Sequence, residues 1–125
     1  MPQNRLVRDA MSKVLISVDP ATTVHQVAKM MEQGIGSVLV KRDGKPAGII
    51  TDRDYAIKIA VNKMSMDTPV EKVATFPLIT IGGDETLKSA GALMTAKKIR
   101  KLAVIDNNEV VGIITSSDIT AQISI

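Results

Sequence analysis

The sequence predicts a mixed α/β (α+β) protein made of two β-α-β-β-α repeats, packed sheet to sheet about a pseudo-twofold axis. The first observation behind this is a repeated phrase. Gly48-Ile49-Ile50-Thr51-Asp52-Arg53-Asp54 returns as Gly112-Ile113-Ile114-Thr115-Ser116-Ser117-Asp118, an offset of 64. The second is the reach of the match. It runs back through Ile35/Ile99, Val38/Leu102 and Val40/Val104 and forward to Ile59/Ile123, and an offset of 63 carries Val7 onto Val70, Thr23 onto Thr86 and Met31 onto Met94. One single-residue indel near Gln33 aligns both halves, the signature of an internal duplication. The third is Ser37-Val38-Leu39-Val40, so continuously apolar that both faces of the strand should be buried. A half whose helices cover one side of its sheet needs cover for the other, and the second repeat supplies it.

Each repeat opens with a short β-rich run, residues 15–18 or 78–81. A polar turn follows, Asp19-Pro20-Ala21-Thr22 or Gly82-Gly83-Asp84-Glu85. Thr23 and Thr86 stand where a helix begins, as N-caps whose hydroxyls accept from orphan amides. Val24, Val27, Ala28 and Met31 mark one helical face, and Leu87, Ala90, Gly91 and Met94 repeat it. Two strands come next, residues 37–41 with 47–51 and residues 101–105 with 111–115. Arg42-Asp43-Gly44-Lys45-Pro46 and Asp106-Asn107-Asn108-Glu109 between them are hairpin chemistry. A last helix opens after Thr51 or Thr115, with Tyr55, Ala56 and Ile59, or Ile119 and Ile123, facing inward. The repeats are expected at residues 7–61 and 70–125, joined by a polar linker at 62–69 that ends in the helix-disfavouring Thr68-Pro69.

Composition narrows the class. The chain has 125 residues, no cysteine, and only Tyr55 and Phe76 as aromatics. That excludes a disulfide framework and thiolate chemistry and demands an aliphatic core. No apolar run approaches the roughly 20 residues of a membrane span, and the N-terminal residues lack the apolar stretch of a secretory signal. A cytoplasmic protein is expected. Residues 1–64 carry ten Lys/Arg against six Asp/Glu, and residues 65–125 carry six against seven. A mildly basic first half attracts any phosphate, but there is no dense basic stripe, and two aromatics make a poor stacking platform for bases.

The order β-α-β-β-α, the phrase Ile35-Gly36-Ser37-Val38-Leu39-Val40, the lead-in Val7-Arg8-Asp9-Ala10-Met11 and the two Gly-h-h-Thr-x-x-Asp endings (h, hydrophobic) together resemble the CBS (cystathionine-β-synthase) domain family, from about Val7 to Ile123. The resemblance implies a stand-alone tandem CBS pair that pairs again as a homodimer. It implies a regulatory module that binds AMP, ADP, ATP or S-adenosylmethionine, requires no cofactor, and acts through a partner protein still to be identified. In such pairs the motif Thr contacts phosphate or ribose and the Asp grips the ribose hydroxyls, while the opposite repeat lends its opening run and the residues before its second strand. Carried over, one cleft uses Ile49, Thr51, Arg53 and Asp54 with Thr75, Pro77, Leu78, Ile99, Arg100 and Lys101. The other uses Ile113, Thr115 and Asp118 with Ser12, Val14, Leu15, Ile16, Gly36 and Ser37. On this assignment up to three cations (Arg53, Arg100, Lys101) face a phosphate chain in the first cleft and none of their counterparts does in the second. The first is therefore expected to prefer the more phosphorylated ligand, with Phe76 beside it available to stack on adenine or to pack in the core.

The residues themselves fit these roles. A Thr at a strand-to-helix junction stands beside unpaired amides, a natural phosphate position. An Asp three residues on lies one turn deeper, with two acceptor oxygens for a vicinal diol. The same Thr-x-x-Asp is equally a capping box that only stabilises its helix, and spacing does not separate the two. Arg100-Lys101 could likewise be solvated surface. His25, the only histidine, is expected to face solvent, and without Cys or a second His no zinc site is legible. There is no Gly-x-Ser-x-Gly elbow, no P-loop and no dinucleotide loop, and Met30, Met31 and Met94 sit at core spacing. No enzyme is expected, and no turnover of a bound nucleotide. The alternatives are a ligand-free interaction or oligomerisation module and, further off, a nucleic-acid binder.

Overall fold

The computed structural model describes residues 5–123, the side chain of Ile123 lying outside that set. In chain order the regular elements are α1 (Val7–Ala10), β1 (Ser17–Val18), α2 (Val24–Glu32), β2 (Ser37–Arg42), β3 (Lys45–Thr51), α3 (Asp52–Asp54), β4 (Thr80–Gly82), α4 (Leu87–Lys97), β5 (Lys101–Asp106), β6 (Glu109–Thr115) and α5 (Ser116–Ile123). A π-helical stretch, Tyr55–Ala60, continues α3, and Val70–Lys72 forms one 3-10 turn.

Two compact units result, and they are cut differently from the sequence repeats. The continuous unit is Ile16–Leu78. The composite unit joins the described residues up to Leu15 with those from Ile79 onwards. The lead-in of each repeat thus packs with the other repeat's elements. Pro69 bridges to Thr23 in the continuous unit, and Leu6, its counterpart, bridges to Thr86 in the composite one.

In the continuous unit β1 runs parallel to β2, with Ser17 opposite Leu39, and β2 pairs antiparallel with β3, Ser37 opposite Thr51. The β2–β3 turn is two residues, Asp43 and Gly44 at φ 55° and 77°, the left-handed pair that matches strand twist. Both strands therefore run further into the turn than the sequence suggests. Thr23 caps α2 by accepting from the Gln26 amide at 3.1 Å while Gln26 reaches back to the Thr23 amide at 2.9 Å. Val24 and Val27 of α2, Val38 and Val40 of β2, Ile50, Ile59, Val70 and Val73 form a buried aliphatic core. Leu39 is buried as well, so Val38, Leu39 and Val40 are covered in succession.

The composite unit repeats this plan. β4 is parallel to β5, and β5 antiparallel to β6 around a left-handed Asn107-Asn108 turn. Thr86 caps α4 through the Ser89 amide at 3.1 Å. Val7, Ile81, Leu87, Ala90, Met94, Leu102, Val104 and Ile114 make its core.

Three expectations are corrected. The first opening β-rich run shrinks to Ser17–Val18, and the second starts later and extends into the expected turn as Thr80–Gly82, because these residues find ladder partners. Ala56 is exposed rather than inward, because α3 widens at Tyr55 into i→i+5 bonds, such as Val61 N–H to the Ala56 carbonyl, and the residues on the inner face shift. Tyr55 is only half-buried, while Ile59 is covered as expected. His25 is exposed, as its position predicts.

Candidate functional site

In the continuous unit β3 delivers Thr51 to the mouth of α3 in extended backbone, φ −127° and ψ 171°. Asp54, buried at the end of α3, turns one carboxylate oxygen back on Thr51. Its Oδ2 accepts from the Thr51 amide at 2.9 Å and lies 3.3 Å from the Thr51 hydroxyl. The other oxygen, Oδ1, faces Lys58 Nζ at 3.2 Å and the Thr75 hydroxyl at 3.4 Å. Lys58 also donates to the Val73 carbonyl at 2.9 Å and to Thr75 Oγ1 at 3.1 Å. Thr75 is held there by its backbone, exchanging hydrogen bonds with Ile49 at 2.8 and 3.0 Å. Leu78 follows, its amide donating to the Ala47 carbonyl at 2.9 Å, and Pro77 between them is exposed.

Ile49, Thr51, Asp54, Thr75 and Leu78 are therefore gathered in one unit. Arg53 is exposed on α3. Lys58 was not among the expected residues. Its signal was the i,i+4 spacing from Asp54 on one helical face. The Phe76 ring lies where a side chain on Gly48 would stand, its Cε2 2.5 Å from that Cβ position, and carries the Arg42 guanidinium 4.0 Å from its centroid. The ring also packs against the buried core of the continuous unit, the packing role expected of it.

The composite unit holds the second motif. Thr115 N–H donates to Asp118 Oδ2 at 2.9 Å, and the Asp118 amide donates to Thr115 Oγ1 at 3.1 Å, a reciprocal capping box. Ser12 occupies the place of Thr75, exchanging backbone bonds with Ile113 at 2.8 and 3.0 Å, and its hydroxyl accepts from the Val14 amide at 3.3 Å. Val14 is 71% exposed, and Leu15 is half-buried.

The remaining expected residues lie in the unit opposite to the motif they were assigned to. Ile99, Arg100 and Lys101 belong to the composite unit. There Lys101 faces Thr115 across the ladder, and the Arg100 carbonyl accepts from the Ser116 amide at 2.9 Å. Ile16, Gly36 and Ser37 belong to the continuous unit, where Ser37 faces Thr51. The capping reading and the ligand reading meet on the same atoms, since the oxygens that would grip a diol are those that close the helix. One more polar group is tied into the continuous unit. The Tyr55 hydroxyl donates to the Val24 carbonyl at 2.5 Å, and burial pushes its pKa up to about 12. Among the described residues no group of three His, Cys, Asp or Glu is placed to hold a metal ion, and no helix is long and apolar enough to cross a membrane.

A family model for the CBS domain matches the chain twice, over residues 7–60 and 67–125. The chain is 32% identical over 117 residues to the CBS domain-containing protein YhcV of Bacillus subtilis, covering 93% of this chain and 84% of that one. Among solved structures, an uncharacterized conserved protein from Pyrococcus horikoshii superposes with a TM-score of 0.90 at 30% identity, over 97% of this chain and 93% of its own. Protein MJ1225 of Methanocaldococcus jannaschii, a proposed archaeal homologue of g-AMPK, superposes with a TM-score of 0.77 at 26% identity, over 95% of this chain and 48% of its own. Several other curated relatives are longer, the chain spanning 28% to 59% of three archaeal ones.

Proposed function

Because the chain belongs to the CBS-domain family, we propose that it is a regulatory module that binds an adenine nucleotide, or S-adenosylmethionine, at its two Thr-x-x-Asp motifs and passes the occupancy to a partner protein. One observation carries this reading. Each motif stands beside a hydroxyl residue delivered by the lead-in of the other repeat, Thr75 beside Ile49 and Ser12 beside Ile113. Helix caps alone do not need that second hydroxyl. The reading is of a binder and not a catalyst, since phosphoryl transfer needs a metal clamp and a positioned base or water. Phosphate release from ATP in proportion to protein, above a mock preparation, would refute that part.

The two motifs are read as unequal. Arg53 lies within the Thr51 motif where Ser117 lies within the other. Charge-assisted hydrogen bonds are worth about 1.5–3 kcal/mol against about 1 for neutral ones, so the Thr51 motif favours the more phosphorylated ligand. Within the continuous unit the preference rests on Arg53, and Arg100 and Lys101, which the reading adds from the other repeat, belong to the composite unit. A thermal-shift panel of AMP, ADP, ATP, S-adenosylmethionine and NAD tests the reading, because a ligand held only by the native state must raise the melting temperature. A flat panel at millimolar ligand overturns it.

A second reading has its own observation. Ile57, on the helix that follows the Thr51 motif, and Val61 at its end are 54% and 70% exposed, apolar side chains of the kind that association covers. A homodimer through this face is compatible with either reading, and light scattering returning a monomer mass at high micromolar concentration would exclude it.

A further inference from the structure

The carboxylate that the nucleotide reading assigns to a sugar is already taken in the continuous unit. An ionised carboxylate offers about four lone-pair positions. On Asp54 they meet the Thr51 amide, the Thr51 hydroxyl, the Lys58 ammonium and the Thr75 hydroxyl. A vicinal diol can enter only by displacing one of these. The Thr51 amide is fixed by β3, and the Thr51 and Thr75 hydroxyls, the longer contacts at 3.3 and 3.4 Å, can rotate while their backbones stay. Lys58 is the charged partner, and the one whose displacement sets a cost. Its side chain is 40% exposed on a flexible stem, and its ammonium keeps the Val73 carbonyl and water when Asp54 is withdrawn. The other motif has no such occupant. The position matching Lys58 is Gln122, a neutral residue whose Oε1 accepts from Arg5, and among the described residues Asp118 has no cationic partner.

We propose that Lys58 is an internal stand-in for the ligand's sugar at the Thr51 motif: it occupies Asp54 in the empty protein, and a diol must evict it to bind. The inference rests on the nucleotide reading and deepens it by naming the residue that sets the threshold for one motif and not the other. Eviction also removes a strut. Lys58 links the Asp54 carboxylate to Thr75 as well as to Val73, so ligand entry breaks the Asp54 end of that link while the Val73 contact stays, a route from occupancy to conformation that the Thr115 motif lacks.

The test is calorimetry of the full chain with adenosine, which has the diol and no phosphate for Lys58 to follow. An Asp118→Asn background confines the signal to the Thr51 motif. Lys58→Met keeps the stem and removes the ammonium, and Lys58→Arg restores the pair. Melting curves confirm that each variant folds. The Lys58→Met variant should bind adenosine about two- to five-fold more tightly, the factor a half-exposed ion pair commands. The Lys58→Arg variant should match its parent, and 2′-deoxyadenosine, which lacks the diol, should show no gain. Binding that appears only in the Lys58→Met variant supports the inference in its strongest form. Unchanged or weaker binding there, or an equal gain for 2′-deoxyadenosine, overturns it. If adenosine binds the wild-type chain, but in the Asp118→Asn background binds neither the parent nor its Lys58→Met variant, the inference fails and the nucleotide reading survives at Thr115. If no adenine ligand binds any form, both fail.

Discussion

The continuous and composite units are built on one plan, and their differences lie where a ligand would act. Both place a Thr at the end of a strand, an Asp three residues later, and a hydroxyl residue from the other repeat's lead-in on the neighbouring backbone. In the continuous unit that hydroxyl reaches Asp54, and Lys58 fills the remaining acceptor. In the composite unit Ser12 turns its hydroxyl to the Val14 amide, and Asp118 is engaged only with Thr115 among the described residues. Duplication conserves the helix cap, which any copy of the fold requires, and lets the rest of the shell diverge. What differs between the copies is thus more informative about function than what repeats.

The largest expected contrast is between the two glycines that admit the exchanged lead-ins. A methyl on Gly112 would stand 2.8 Å from the Ser12 carbonyl oxygen and 2.5 Å from Met11 Sδ, while the nearest neighbours of one on Gly48 are Phe76 ring atoms, at 2.5–2.9 Å. The Ser12 backbone is pinned by its pair of bonds to Ile113 and cannot retreat without losing them. The Phe76 side chain is half-exposed and can swing aside. Gly112→Ala should therefore cost about 3 kcal/mol and Gly48→Ala about 1, within the range for overpacked sites. Urea unfolding of both variants measures this, and equal or reversed costs would break the asymmetry between the lead-ins.

Much of this was legible in the sequence. The repeat, the caps Thr23 and Thr86, the hairpins and the apolar faces are local or periodic signals, and each survives in the structure. The exchange of lead-ins was not readable from the residues, because duplicated segments pair equally well on paper with either copy. Only the family resemblance supplied that crossing. Lys58 went unread because on a helical face a basic residue four positions from an acid is ordinarily solvated surface. Its importance comes from Val73 and Thr75, fifteen and seventeen residues away, which give the ammonium two further acceptors. The widening of the helix at Tyr55 left no trace in spacing, and it moved Ala56 to the surface.

A middle-sized contrast concerns the motif acids. Asp54→Ala removes a helix cap, the partner of Lys58 and the acceptor of Thr75, whereas Asp118→Ala removes the cap alone. A lost cap costs about 1 kcal/mol. The added hydrogen bonds bring the expected cost of Asp54→Ala to about 2 kcal/mol, held down because Lys58 can return to water. Thermal or urea denaturation of the pair decides it. Equal losses would mean that the Lys58 and Thr75 contacts are energetically silent and that the motifs differ only in appearance.

The smallest contrast lies on the helices that follow the motifs, where Tyr55 corresponds to Ile119. Tyr55 donates its hydroxyl to the Val24 carbonyl and is partly buried, which raises its pKa from 10.0 to about 12. Between those values the folded chain holds a proton that the unfolded chain has released. By linkage, stability must therefore fall as pH rises through this window. The contribution is complete below pH 10 and gone above about 12. Its size is well short of what the full shift would give, because the ring remains partly open to solvent. Tyr55→Phe should cost about 1 kcal/mol at neutral pH through the lost hydrogen bond. The same change should flatten the alkaline decline, so that variant and wild type converge toward pH 12. Ile119→Phe, which puts a ring at the matching site of the composite unit without removing any hydroxyl, should leave the alkaline slope as in the wild type. Urea midpoints taken from about pH 8 to 12 follow all three proteins across the window in which the Tyr55 proton is lost. A wild-type slope parallel to that of Tyr55→Phe would show that Tyr55 does not carry the alkaline sensitivity assigned to it.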